Sequence, residues 1–387
     1  MINNVKRNKD VVSGRSDLEF LAKIPNLSAR MGVSDDNYTE DHRLDMDCYI
    51  SKSSGMLQIN PLLDLNFLYG RGHGAGTIGG TWSNHHKDLS DFISKFRPSS
   101  ILEPGGGHGL LAQAYADKND QLDSWNILEP SEECLPPKFN SSKIISEIGF
   151  FNKKFVDSSK KYNAVVHSHV LEHIYEPMDF LRDCNDILQD NGYLIFSIPN
   201  VDYGLKEMHA NCLMFEHTYL ASEAHVDYMC QKNGFRLIDK KYFGTHSKFF
   251  CYQKDIRTSN ANISMPNLYN RNKEQYLKFI SFIKDRVSIA NSHLLEEGNK
   301  NNCFVFGAHI FSQILFSFGL KEDSISAVLD NDKSKIGKRL YGWNSMVLSP
   351  EVLKGLDSPL IILNAGAYNE ELKKQILSSI NSKARFI

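Results

Sequence analysis

Between about residue 90 and residue 253, short apolar runs alternate with amphipathic stretches. Ser100–Glu103, Ser124–Glu129, Asn163–His167 and Gly192–Ile198 have the length and composition of strands, and the segments between them carry helical spacing. Such alternation predicts βαβ units and a mostly parallel sheet. A second pattern of the same kind follows residue 300, with strand candidates at Asn302–Gly307, Ser326–Asp330 and Pro359–Asn364. Between the two, Met265-Pro266-Asn267 punctuates the chain, and Tyr276, Phe279, Ile280, Phe282 and Ile283 recur at helical spacing. Residues 1–90 have weak periodicity and end in the glycine-rich run Tyr69–Gly80, which predicts a loop. The expected class is α/β. Its parts are an N-terminal module (1–90), a doubly wound core (91–253), a helical connector (254–300) and a C-terminal doubly wound domain (301–387).

Composition narrows the function classes. The chain has 387 residues, 41% of them hydrophobic and 23% charged, as expected of a globular protein of two or three domains. The 44 basic residues nearly cancel the 46 acidic ones, for a formal charge of −2. Gripping nucleic-acid phosphates calls for a basic excess, so no nucleic-acid partner is expected. No apolar run reaches the ~18 residues that would span a bilayer, and the polar first ten residues predict no secretory signal. Seven scattered cysteines form no C-x-x-C pair, which fits free thiols in the cytoplasm.

One segment carries most of the chemistry. Ile101-Leu-Glu-Pro-Gly-Gly-Gly-His-Gly-Leu-Leu111 joins a predicted strand to a predicted helix, with glycines at 105, 107 and 109 and Glu103 ahead of them. A dinucleotide fingerprint has its third glycine one residue later and its helix N-terminus on a pyrophosphate. An acid before the turn repels phosphate and suits a cationic ligand. The next strand ends at Glu129, where a carboxylate can accept from both hydroxyls of a ribose. After the third comes His167-Ser-His-Val-Leu-Glu-His173, at a strand end opening on the same crevice. These ordered motifs resemble those of class I methyltransferases dependent on S-adenosylmethionine (SAM). The resemblance implies a Rossmann-like core, SAM as cofactor, and Glu103, Gly105, Gly107, Gly109, Glu129 and His169 as its binding residues.

The flanks extend the resemblance from about residue 45 onward. Trp82-Ser-Asn-His-His86, Phe215-Glu-His-Thr-Tyr-Leu-Ala221, Gly244-Thr-His246 and a tail with Phe304-Val-Phe-Gly-Ala-His309 are ordered as in the three-domain sugar C-methyltransferases. That likeness implies a nucleotide-linked ketosugar as acceptor, His217 as general base, and Glu216 and His173 beside it. Tyr219, His246 and His73 become substrate contacts. Two departures stand out. Family members hold zinc with two C-x-x-C pairs, whereas Ser51 and Ser54 follow Cys48 here, and Met214 replaces a tyrosine. Hydroxyls do not replace thiolates on structural zinc, so the module is expected to lack its metal. No metal site is expected at His85 and His86 either, since adjacent histidines rarely ligate one ion. Gly307 and Asp330 look like a weak nucleotide fingerprint, one that turn chemistry explains equally well. Glu216 and His217 can share a pocket only in a turn, because neighbours on a strand point oppositely. Two alternatives fit the same residues: an O-methyltransferase on a sugar or related metabolite, and a SAM-binding scaffold without turnover.

Overall fold

The computed structural model describes residues 3–69, 80–136, 138–209, 212–259 and 263–387. Its centre is a seven-stranded sheet built from β1 (Ser100–Pro104), β2 (Ser124–Glu129), β3 (Ile144–Ile148), β4 (Tyr162–Ser168), β5 (Leu188–Pro199), β6 (Phe235–Phe243) and β7 (Ser247–Lys254). The strands lie in the order β3-β2-β1-β4-β5-β7-β6, and β7 alone runs antiparallel to its neighbours. The four strands expected from sequence are β1, β2, β4 and β5.

Their apolar runs are continuous because both faces are covered. Leu102, Val165, Leu194 and Phe196 enter one core, while Ile101, Ala164, Val166 and Ile195 enter the other. The helices Gly80–Ser94 and Leu110–Ala116 close the second face through Leu89, Phe92, Ile93, Leu111 and Tyr115. The order reverses between β1 and β4, and ligands of such sheets bind outside the carboxyl ends of the strands at that switch point.

Before this sheet, Leu18–Ser28, Arg43–Ser51 and Leu57–Asn60 form an antiparallel sheet. Its fourth strand comes from much later in the chain: Tyr219 pairs with Gln58 and Leu220 with Leu57. The turn that follows Cys48 is tied by hydroxyls. Ser51 donates to Asp17 at 3.1 Å, while the Ser53 and Ser54 amides donate to Asp17 (2.8 Å) and to Ser51 Oγ (3.1 Å). Cys48 is a core residue whose thiol burial pushes up to about 12.

The connector pattern is one 29-residue helix, Tyr269–Glu297, ended by Gly298 in the left-handed region. It buries Tyr276, Phe279, Ile280 and Ile283. The last sheet has five parallel strands, Cys303–Phe306 at its centre. Val33 and Ser34 pair with Leu340 and Arg339, stitching the first part of the chain to the last. Among the described residues no helix is long and apolar enough to cross a membrane.

Candidate active site

The glycine turn is built on backbone that side chains resist. Gly105, Gly107 and Gly109 have φ of 68°, 50° and 69°, in the left-handed region. A Cβ on Gly105 would stand 2.9 Å from Val170 Cγ2, and one on Gly109 would strike the Phe139 ring. The Gly105 amide donates to Leu128 O of β2 at 2.8 Å. Glu129, at the tip of β2, accepts from the Gly107 amide and the Ser131 amide, both at 3.0 Å. Turn and acid therefore form one hydrogen-bonded cradle at the switch point.

Glu103 lies beneath this cradle rather than on its rim. It is 2% exposed, accepts from Trp125 Nε1 at 2.7 Å, and sits where a Cβ on Gly106 would be 2.8 Å from its Cδ. Burial pushes its carboxyl up to about 8, against the Trp125 bond that pulls it down. The folded chain thus holds a proton there that the unfolded chain releases above about 4.5. Stability from this group is lost as pH rises through that window, by a few kcal/mol at most on the order set by linkage. Glu103→Gln keeps the bond to Trp125 and removes the titration. The variant is expected to hold its Tm from pH 6 to pH 8 better than the wild type does in parallel calorimetric scans.

The opposite wall is rich in histidine. His169 follows β4 at φ 54°, fixed by its amide on Ser197 O at 3.0 Å, and a short 3₁₀ turn then presents Leu171–His173. His173 Nδ1 is 2.8 Å from the Tyr69 hydroxyl. His217 stands edge-on to His173, ring centres 5.0 Å apart, and is 8% exposed. Its Nδ1 is 3.1 Å from Cys212 O, and a carbonyl only accepts, so Nδ1 carries the proton and Nε2 is the basic nitrogen. Glu216 and His217 lie in a turn closed by the His217 amide on Met214 O at 3.2 Å, which meets the geometric condition for sharing a pocket.

Thr218 holds that turn in place. Its carbonyl accepts from the Ile59 amide (3.1 Å) and Arg7 Nη1 (2.9 Å), and its amide donates to Glu172 O (3.0 Å). Glu172 is buried, and desolvation pushes its carboxyl up to about 7 while His217 pulls it down.

Several expectations land elsewhere. Tyr219 is 1% exposed and its hydroxyl donates to Leu171 O, which braces the wall from behind. Strand pairing with Gln58 is what turns it inward. His246 lies in the turn just before β7, its ring centre 5.0 Å from that of Trp82 and 5.6 Å from that of His169. His73 falls outside the described residues. In the last domain Asp330 accepts from the Ala308 and Asp332 amides at 2.8 and 2.9 Å and pairs with Lys335 at 3.1 Å, closing its own loop. Gly366 of that domain packs on His209, which brings the last domain against the core.

Sequence reading does not single out Tyr69, Glu172, Arg7 or Ser247. Glu172 lay inside the quoted His167–His173 motif, and that position was its available signal. Arg7 sits in a polar leader that gives none.

Residues 81–240 match a family model described as a methyltransferase domain. No curated protein matches the chain. Among solved structures, it is similar to human N-acetylserotonin methyltransferase in complex with SAM, at 16% identity and a TM-score of 0.38 over 45% of this chain and 52% of that one. It is also similar to the CcbJ methyltransferase of Streptomyces caelestis (16%, 0.36, 44% and 89%). An O-methyltransferase family protein of Burkholderia thailandensis matches at 12% and 0.37, over 44% and 55%. The chain carries a methyltransferase domain and is an enzyme that uses SAM. The glycine cradle, whose walls leave no room for a Cβ at 105 or 109, fits that cofactor.

Proposed function

We propose that this enzyme methylates a carbon beside the ketone of a nucleotide-linked sugar, with His217 as general base. The observation that carries the reading is a buried histidine whose Nδ1 is committed to Cys212 O, leaving Nε2 as its basic nitrogen beside His173. Bound SAM supplies a methyl group already activated on a sulfonium. The chain is left to align the partners and remove one proton. Glu129 and the glycine turn hold the adenosine half, and Glu103 supports the turn from below. His217 takes the proton from the acceptor carbon, and His173 donates to the oxyanion that forms. Tyr69 fixes His173 through its 2.8 Å contact. Glu216 and His246 are the remaining candidates for sugar hydroxyls. The packing of Gly366 on His209 sets the last domain against the core, in keeping with a role in enclosing the acceptor. A near-neutral charge of −2 is in keeping with a small-molecule acceptor rather than a nucleic acid, and with work in the cytoplasm.

The test is transfer from SAM labelled with 13C in its methyl group to a panel of nucleotide-linked ketosugars. The expected product carries the label as a C–CH3 signal coupled to a ring carbon. An O–CH3 product would instead establish the O-methyltransferase, and a protein that binds SAM without transfer to any acceptor would be the scaffold.

A further inference from the structure

A second histidine cluster lies at the same sheet edge, apart from the His173–His217 pair assigned to proton transfer. His85 comes from the helix Gly80–Ser94, His169 directly follows β4, and His246 ends the turn just before β7. Their ring centres are 5.3, 5.6 and 5.8 Å apart, and one nitrogen from each lies within 4.8 Å of the others. An imidazole bound to zinc at about 2.0–2.1 Å has its ring centre ~3 Å from the ion, so three of them stand roughly 5–5.5 Å apart.

Three features of the cluster point to a ligand. His85 is 0% exposed, and neither of its ring nitrogens has a hydrogen-bond partner. Phenylalanine would fill that space beside Phe243 and Phe249 without burying two polar atoms, each of which is costly when unpaired. His169 Nδ1 lies 3.1 Å from Glu172 Oε1, a close approach without hydrogen-bond geometry that sets a carboxylate beside the imidazole, where one can serve as the outer partner of a metal-bound histidine. The Ser247 hydroxyl sits between the remaining groups, 2.9 Å from His169 Nε2 and in contact with His246 Nδ1, so these rings already converge on one polar atom.

We propose that His85, His169 and His246 bind a first-row divalent metal ion, zinc or a close equivalent, at the edge of the crevice. Three neutral imidazoles are a donor set for such an ion, with at least one position left for water or an oxygen ligand. Glu172 is the outer partner of His169. The nearby trio of Glu172, His173 and His217 is a distinct cluster, and it holds the groups assigned to acid–base chemistry.

The experiment is titration of chelator-treated full-length protein with Co(II), read by visible absorption and by metal content after dialysis. One Co(II) per chain is expected, with ligand-field bands that Zn(II) abolishes. His85→Phe keeps the aromatic packing and is expected to remove both the bands and the bound metal. Glu172→Gln is expected to weaken binding ~10–100-fold, as loss of an outer-shell partner does. His86→Gln and His217→Gln are expected to retain the bands. Absence of stoichiometric Co(II) in the wild type would overturn the proposal. So would bands that survive His85→Phe or vanish in His217→Gln. The readout is metal content and spectrum, so it stands apart from whether the acceptor is a ketosugar.

Discussion

His217→Asn is expected to lower kcat by ~10²–10⁴-fold while leaving the affinity for SAM unchanged, the range a positioned general base contributes. Asparagine can still donate to Cys212 O, so the turn at Met214–His217 keeps its closure. What disappears is the basic Nε2 that faces away from that carbonyl. The cofactor cradle is on other elements, at β1 and β2, and Thr218 keeps its own ties to Ile59, Arg7 and Glu172. Stopped-flow or discontinuous turnover assays paired with calorimetric SAM binding separate the two effects. A loss of SAM binding in step with turnover would place His217 in the cofactor site instead. His173→Gln is expected to give a smaller fall, because it stabilises charge and takes no proton.

The second large effect is on the cofactor. Glu129→Ala is expected to weaken SAM binding by ~10²-fold or more. Hydrogen bonds to a charged group contribute about 1.5–3 kcal/mol each, and a ribose diol offers two donors to one carboxylate. The same change strips acceptors from the Gly107 and Ser131 amides, which loosens the turn itself. Glu129→Gln retains an acceptor and should fall between the two. The check is the rise in Tm produced by saturating SAM: large in the wild type, reduced in Glu129→Gln, and nearly absent in Glu129→Ala.

These effects were readable from sequence to unequal degrees, for physical reasons. β1, β2, β4 and β5 announce themselves because buried parallel strands need unbroken apolar runs, and Glu129 because an acid at such a strand end has few structural reasons to be there. The turn at Glu216 and His217 was legible only as a condition, since its closure depends on pairing between Tyr219–Leu220 and Leu57–Gln58 far back in the chain. That same pairing buried Tyr219, a residue two positions from the base that looked like a substrate contact. Glu103 was read as facing the ligand because its place in the motif is fixed, whereas its side-chain direction is decided by Trp125. Histidine clusters are the hardest to foresee. His85 was weighed only against its neighbour His86, and its partners His169 and His246 arrive from two other strands' ends. Hydrophobic periodicity reports which elements form, and says little about which polar tips meet when a sheet is assembled.

If one crevice, with Glu129 at one end and His217 at the other, serves a single methyl transfer, a crystal structure of the protein soaked with S-adenosylhomocysteine will show it. The ribose hydroxyls are expected on Glu129, with the sulfur directed toward the space before His173 and His217. An adenosine bound at the Gly307–Asp330 loop, or a sulfur facing away from His217, would contradict it.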